Sequence, residues 1–152
     1  MPILWTTDLN TGISVIDEQH KRIVDYINEI EQAKQQQDHD AIGRVLDKLL
    51  DYTLSHFAFE ESLQREAQYE FSTPHQATHA MFIKRIHVYQ GRYRDGEDIS
   101  DQLYTMLDTW LIHHIKSDDM AYVRAVRESM ERIVANQQSD GWLGRAMRKF
   151  FG

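Results

Sequence analysis

Cysteine is missing from this chain, and its absence removes a whole class of chemistry. Disulfides, zinc–thiolate sites, iron–sulfur clusters and thiol nucleophiles are excluded, so any metal must be held by histidine and carboxylate. That ligand set favours iron, manganese, zinc or copper. Proline occurs twice and glycine seven times in 152 residues. With so few breakers, long helices are the first expectation. Long apolar runs are missing as well. No stretch approaches the roughly 18 apolar residues of a membrane-spanning helix. The N-terminus, MPILWTTDLN, has neither the basic start nor the apolar core of a secretory signal, and a cytoplasmic protein is expected. Positive charge is in deficit. A formal net charge of −7 argues against nucleic acid as a partner.

What remains is ordinary in bulk: 41% hydrophobic and 27% charged residues, in a length that suits one domain. Apolar residues recur at helical spacing in four blocks. The first runs from about Asp17 to Gln37, with Ile16, His20, Ile23, Ile27 and Ile30 on one stripe. The second runs from about Asp40 to Glu66, through Leu46, Leu49, Thr53, His56, Glu60 and Leu63. The third opens at Ser72-Thr73-Pro74, where Ser72 or Thr73 can cap and Pro74 suits a first helical turn. It continues through His75, His79, Phe82, Ile86 and Tyr89 to about Tyr93. The fourth, capped by Asp98 or Ser100, runs to about Ala135. Four such helices joined by short polar turns predict an all-α, antiparallel, up-down-up-down four-helix bundle over residues 1–135.

Histidine is the residue in excess, with eight copies, and its placement is informative. At about 100° per residue, positions four apart lie nearly above one another. His56 and Glu60 form such a pair, and so do His75 and His79, each in register with apolar residues that must face inward. His20 interrupts the first stripe. On the fourth helix His114 lies among Leu103, Leu107, Trp110 and Leu111, while His113 falls at the stripe's edge. A single core histidine is commonly a hydrogen-bonded structural residue. Histidines interrupting the apolar stripes of all four helices are another matter, because burying them with carboxylates and no compensating cation costs several kcal/mol each. A metal site is the expectation. Five imidazoles and bridging carboxylates oversupply one zinc, which takes four ligands. They suit two metals, most plausibly iron, although the paired Glu-x-x-His motifs of the usual di-iron bundle are absent.

The second carboxylate is ambiguous in WLIHHIKSDDMAY. On a regular helical wheel Asp118 lies about 40° from His114 and Asp119 about 140° away, so periodicity selects Asp118.

Taken together, LWTTDLNTGISVIDEQHKRIVDYIN, HFAFEE, HQATH and WLIHHIKSDDMAY resemble the hemerythrin family, specifically the single-domain bacteriohemerythrins, over about residues 3–133. The resemblance implies a non-haem di-iron centre. One iron would take His75, His79 and His114, and the other His20 and His56. Glu60 and Asp119 would bridge them beside a solvent-derived oxo or hydroxo group. Here the resemblance selects Asp119, because the family's element leaves four residues between His and Asp. It also implies that O2 binds at the open position of the two-histidine iron, in a pocket lined by Trp110 and Leu111. Gln64 departs from the family's frequent Met, and Glu70 from its frequent Pro. Neither falls on a ligand position. His39, His87 and His113 have no ligand role.

Reversible O2 binding for storage, transport or delivery is therefore expected, by a protein that is a monomer and not an enzyme. A sensor acting through a partner, or a di-iron oxidase, peroxidase or nitric oxide reductase, are the alternatives. Residues 136–152 form a polar break and then a tail. Wound as a helix, Trp142, Leu143, Ala146, Met147, Phe150 and Phe151 oppose Arg145, Arg148 and Lys149. This short basic amphipathic helix is expected either to pack on its own bundle or to dock weakly on a membrane surface or protein partner, which would place the protein at the membrane's inner face.

Overall fold

The computed structural model describes residues 2–123 and 125–127. A 3-10 turn, Thr7–Leu9, precedes four helices: α1 (Ser14–Gln35), α2 (His39–Glu66), α3 (Ser72–Arg94) and α4 (Ser100–His113). The chain then continues through a π-helical segment, His114–Asp119, and is helical again at residues 120–123 and 125–127. There is no strand among the described residues. The helices form an antiparallel four-helix bundle in which α1 packs against α2 and α4, and α2 against α3. The expected end of the fourth helix near Ala135 and the amphipathic tail, residues 136–152, lie outside the described residues. No helix among the described residues is long and apolar enough to cross a membrane.

Local chemistry sets the helix starts. α1 begins earlier than the apolar pattern indicates, because Asp17 fastens the incoming loop to the first turn. Its carboxylate accepts the Thr11 N–H and hydroxyl, both at 2.7 Å, and the Gly12 N–H at 3.2 Å. Gly12 sits at φ +88°, a left-handed conformation that glycine adopts without steric cost. Asp38 caps α2 by accepting from the Ala41 N–H at 3.0 Å. At α3 neither Ser72 nor Thr73 caps. The helix starts directly after Phe71, with no side-chain bond at the cap and with Pro74 in its first turn. Asp98 serves α4, accepting from both the N–H and the hydroxyl of Ser100.

The core is layered along the bundle axis. A large apolar cluster includes Ile23, Ile27, Ile30, Leu46, Leu49, Ile86, Leu103 and Leu107. A smaller one contains Ile16, Phe59, Leu63, Tyr122 and Val126. Between them every helix contributes polar side chains. On α1 the order is Ile16, His20, Ile23, and on α2 it is Leu49, His56, Glu60, Leu63. The interrupted stripes of the sequence are thus a single polar layer inside the bundle.

Candidate metal centre

Seven side chains meet in that layer. α1 supplies His20, α2 His56 and Glu60, α3 His75 and His79, and the continuation of α4 His114 and Asp119. All are buried, His75 being the most exposed at 6%. Their ligand atoms fall into two groups, each gathered within 4.8 Å: Glu60, His75, His79, His114 and Asp119 in one, and His20, His56, Glu60 and Asp119 in the other. Glu60 and Asp119 belong to both. His39, His87 and His113 are exposed and stand apart from both groups.

The π-helical segment determines which aspartate points inward. A π turn closes i→i+5 hydrogen bonds instead of i→i+4, so one extra residue fits in the turn. His114 and Asp119, five apart, therefore face the same interior, with Asp119 Oδ1 3.1 Å from His114 Nε2. Uniform helical spacing points Asp118 inward. The structure instead places Asp118, half-exposed, behind His114, where its Oδ2 accepts from His114 Nδ1 at 2.9 Å.

Most of the ligand atoms converge here without a hydrogen bond between them. His20 Nε2 lies 2.9 Å from Asp119 Oδ2, and His75 Nε2 lies 3.2 Å from Asp119 Oδ1 and 3.6 Å from Glu60 Oε2. His56 Nε2 abuts Glu60 Oε1. Yet the inward nitrogens of His20, His56 and His75, Glu60 Oε1 and both Asp119 oxygens are buried with no hydrogen-bond partner of acceptable geometry. The outer nitrogens explain the orientation. His79 Nδ1 donates to Glu61 Oε1 at 3.2 Å, His114 Nδ1 to Asp118, and His56 Nδ1 to Gln19 Oε1. A carboxylate accepts only, so the ring nitrogen facing it carries the proton and the neutral ring turns its lone pair inward. His79 Nε2 and His114 Nε2 then face each other at 3.2 Å, an arrangement that requires a cation or an additional proton between them.

Protonation is one form of compensation. Burial opposes charge on His20 and His75, but Asp119 and Glu60 outweigh it and raise both to about 9. His114 rises to about 10 against the same opposition, through Asp119 and Asp118. For His56 burial wins, and its pKa falls. Glu60 and Asp119 are both pulled below the usual carboxylate range by the surrounding histidines, despite their burial. A metal cation is the other form of compensation, and converging buried lone pairs from imidazole and carboxylate suit one.

Trp110 packs against the cluster. Trp110 is half-buried and stacks on His114, with centroids 4.4 Å apart and planes at 15°, and also on Phe82. Leu111 is 1% exposed in the larger apolar cluster, with Phe57 and Ile115. Other contacts went unread in the sequence. Phe57 stacks flat on His79 at 3.7 Å. The Tyr122 hydroxyl, fully buried, donates to Glu60 Oε2 at 2.6 Å, and burial together with Glu60 lifts its pKa well above the ordinary value. Gln19, Glu61 and Asp118 each adjoin a residue of the inner set, and the doublets Glu60-Glu61 and Asp118-Asp119 were the available signal. Gln64 is fully buried, with neither amide atom hydrogen-bonded.

A four-helix bundle whose core carries a buried His/Glu/Asp cluster suited to metal defines the class of this protein: a helical-bundle metal-site protein. Comparison with known proteins identifies the family. Residues 11–126 match the family described as Hemerythrin HHE cation binding domain, and the chain belongs to the hemerythrin family. It is 51% identical over 150 residues to the bacteriohemerythrin of Pseudomonas aeruginosa strain LESB58, covering 99% of this chain and 98% of that one. Against the bacteriohemerythrin of Stenotrophomonas maltophilia strain R551-3 the identity is 47%, with the same coverage. A solved structure of wild-type hemerythrin superposes with a TM-score of 0.78 at 26% identity, covering 83% of this chain and 98% of that chain.

Proposed function

We propose that this protein binds O2 reversibly at a non-haem di-iron centre and serves O2 storage or delivery. The observation that carries the reading is the inward convergence of imidazole lone pairs whose outer N–H groups are already committed to Gln19, Glu61 and Asp118. In this reading His75, His79 and His114 would hold one iron, and His20 and His56 the other. Glu60 and Asp119, common to both groups of ligand atoms, would be shared between them. Iron bound there supplies the electrons that reversible O2 binding requires.

The chain's own residues set the conditions. Five imidazoles occupy positions that O2-activating carboxylate bundles leave to carboxylate and solvent, which favours binding over activation. Phe57, stacked flat on His79 and part of the larger apolar cluster with Leu111 and Ile115, gives the site an apolar wall that excludes water. Tyr122 holds Glu60 through its second oxygen and fixes the carboxylate's orientation. Names of the relatives support the same reading, since those 51% and 47% identical are bacteriohemerythrins.

The test is optical and elemental. The reduced, iron-loaded protein mixed with O2 should show a visible charge-transfer band that fades on deoxygenation and returns on re-exposure. Metal analysis should give two irons per chain. Immediate irreversible oxidation, or a single bound zinc, would overturn the proposal.

A further inference from the structure

The two halves of the cluster are backed differently. Behind His79 stands the Glu61 carboxylate, at 3.2 Å from Nδ1, and behind His114 stands the Asp118 carboxylate at 2.9 Å. Behind His56 stands the neutral amide of Gln19, itself 1% exposed. His20 Nδ1 is buried with no hydrogen-bond partner among the described residues. An imidazole whose far N–H donates to a carboxylate is oriented by it and is the more basic ligand at its near nitrogen. The shared bridges, Glu60 and Asp119, serve both halves and create no difference of their own.

We propose that the centre fills in a fixed order. The His75/His79/His114 half takes the first divalent cation, the His20/His56 half takes the second, and Glu61 and Asp118 are the positioning residues that set the gap. This rests on the two-metal reading above. Asp118 thereby gains a role: it is the aspartate that aims His114 while its neighbour Asp119 faces the cations. One contact works in the opposite direction. The Tyr122 hydroxyl donates to Glu60 Oε2, the oxygen nearer His75, and draws charge from it. That bond is itself charge-assisted, but one such bond is outnumbered by the two that Glu61 and Asp118 make and by the third imidazole.

The experiment is an anaerobic titration of the metal-free full chain with Fe(II), repeated with Co(II) for its visible spectrum. Two resolved steps are expected, totalling two cations per chain. Asp118→Asn should weaken the first step by about 10–100-fold and leave the second near its original position, the range typical of such partners. Asp118→Glu should restore most of the loss, which a general structural defect would not allow. Gln19→Glu, adding a carboxylate behind His56, should strengthen the second step and narrow the gap. Release of iron from the loaded protein into a chelator reads the same order without a metal-free state, the slower iron leaving faster in Asp118→Asn. Stoichiometry and order are separable. A total other than two overturns the di-metal reading and this inference with it. Two cations bound in one indistinguishable step, or a first step unmoved by Asp118→Asn, overturns the inference alone.

Discussion

α2 and the end of α4 perform the same task by different geometry. Each presents one histidine and one carboxylate to the same buried cluster. In α2, His56 and Glu60 are four residues apart on an unbroken α-helix. Past α4, His114 and Asp119 are five apart on a π-helical turn, and Asp118, in the position equivalent to Glu60, is turned outward to His114 Nδ1. The comparison shows that helical periodicity is reliable only while the helix keeps its own period. Where a wider turn is inserted, the inward face advances by one residue, and such turns occur preferentially at functional sites.

Shifting the phase that the π turn sets should have the largest effect. Inserting one alanine directly after Asp119 keeps the His114–Asp119 spacing but, in the α-helix that follows, rotates everything after it by about 100°. Tyr122 and Val126, both fully buried, would leave the smaller apolar cluster. At about 1.5–3 kcal/mol for each large apolar side chain, the loss is about 3–6 kcal/mol. Urea denaturation should show it, together with loss of bound iron. The next test keeps the turn and changes the side chains. Asp119→Asn removes a charge from the interior and should abolish retention of at least one iron, whereas Asp118→Asn should retain both, with only the more tightly held one weakened. Iron counted after gel filtration separates the two, and equal losses would erase the distinction between inner and outer aspartate.

pH tests whether protons substitute for metal. His20 and His75 are raised to about 9, and His114 to about 10, in the folded metal-free cluster. A group that holds its proton more tightly when folded stabilises the fold below its unfolded pKa, about 6.5 for histidine. That contribution is lost as pH rises through the folded value. The melting temperature of the metal-free protein should therefore fall between about pH 7 and pH 10, while the iron-loaded protein, whose histidines are already deprotonated by the metal, should change little. The smallest effect is expected at Gln64, on the face of α2 one turn beyond Glu60. Its buried amide has no partner, so Gln64→Met should raise the unfolding free energy by about 1–2 kcal/mol, measurable by denaturant titration.

Most of the inner cluster was legible because α1, α2 and α3 are regular. A histidine replacing an aliphatic residue in a 3.6-residue stripe must face the core, which selected His20, His56, Glu60, His75 and His79. His114 over His113 followed in the same way. The outer set was not legible. Gln19 and Glu61 serve histidines on other helices, so no spacing within one helix reports them. Tyr122 reaches Glu60 across 62 positions of chain, from beyond the π turn, where phase read from upstream no longer applies.

The sequence by itself determined the bundle, the family and the histidines, because composition and a constant helical period are local properties that each residue carries with it. Only the tertiary structure decided the rest. Asp119 faces the cluster because the helix widens to seat both it and His114 against side chains from three other helices. Asp118 serves His114 because that same widening leaves it one step outside. Helix pitch is set here by what the core must accommodate, and no run of thirteen residues, WLIHHIKSDDMAY included, contains the core that sets it.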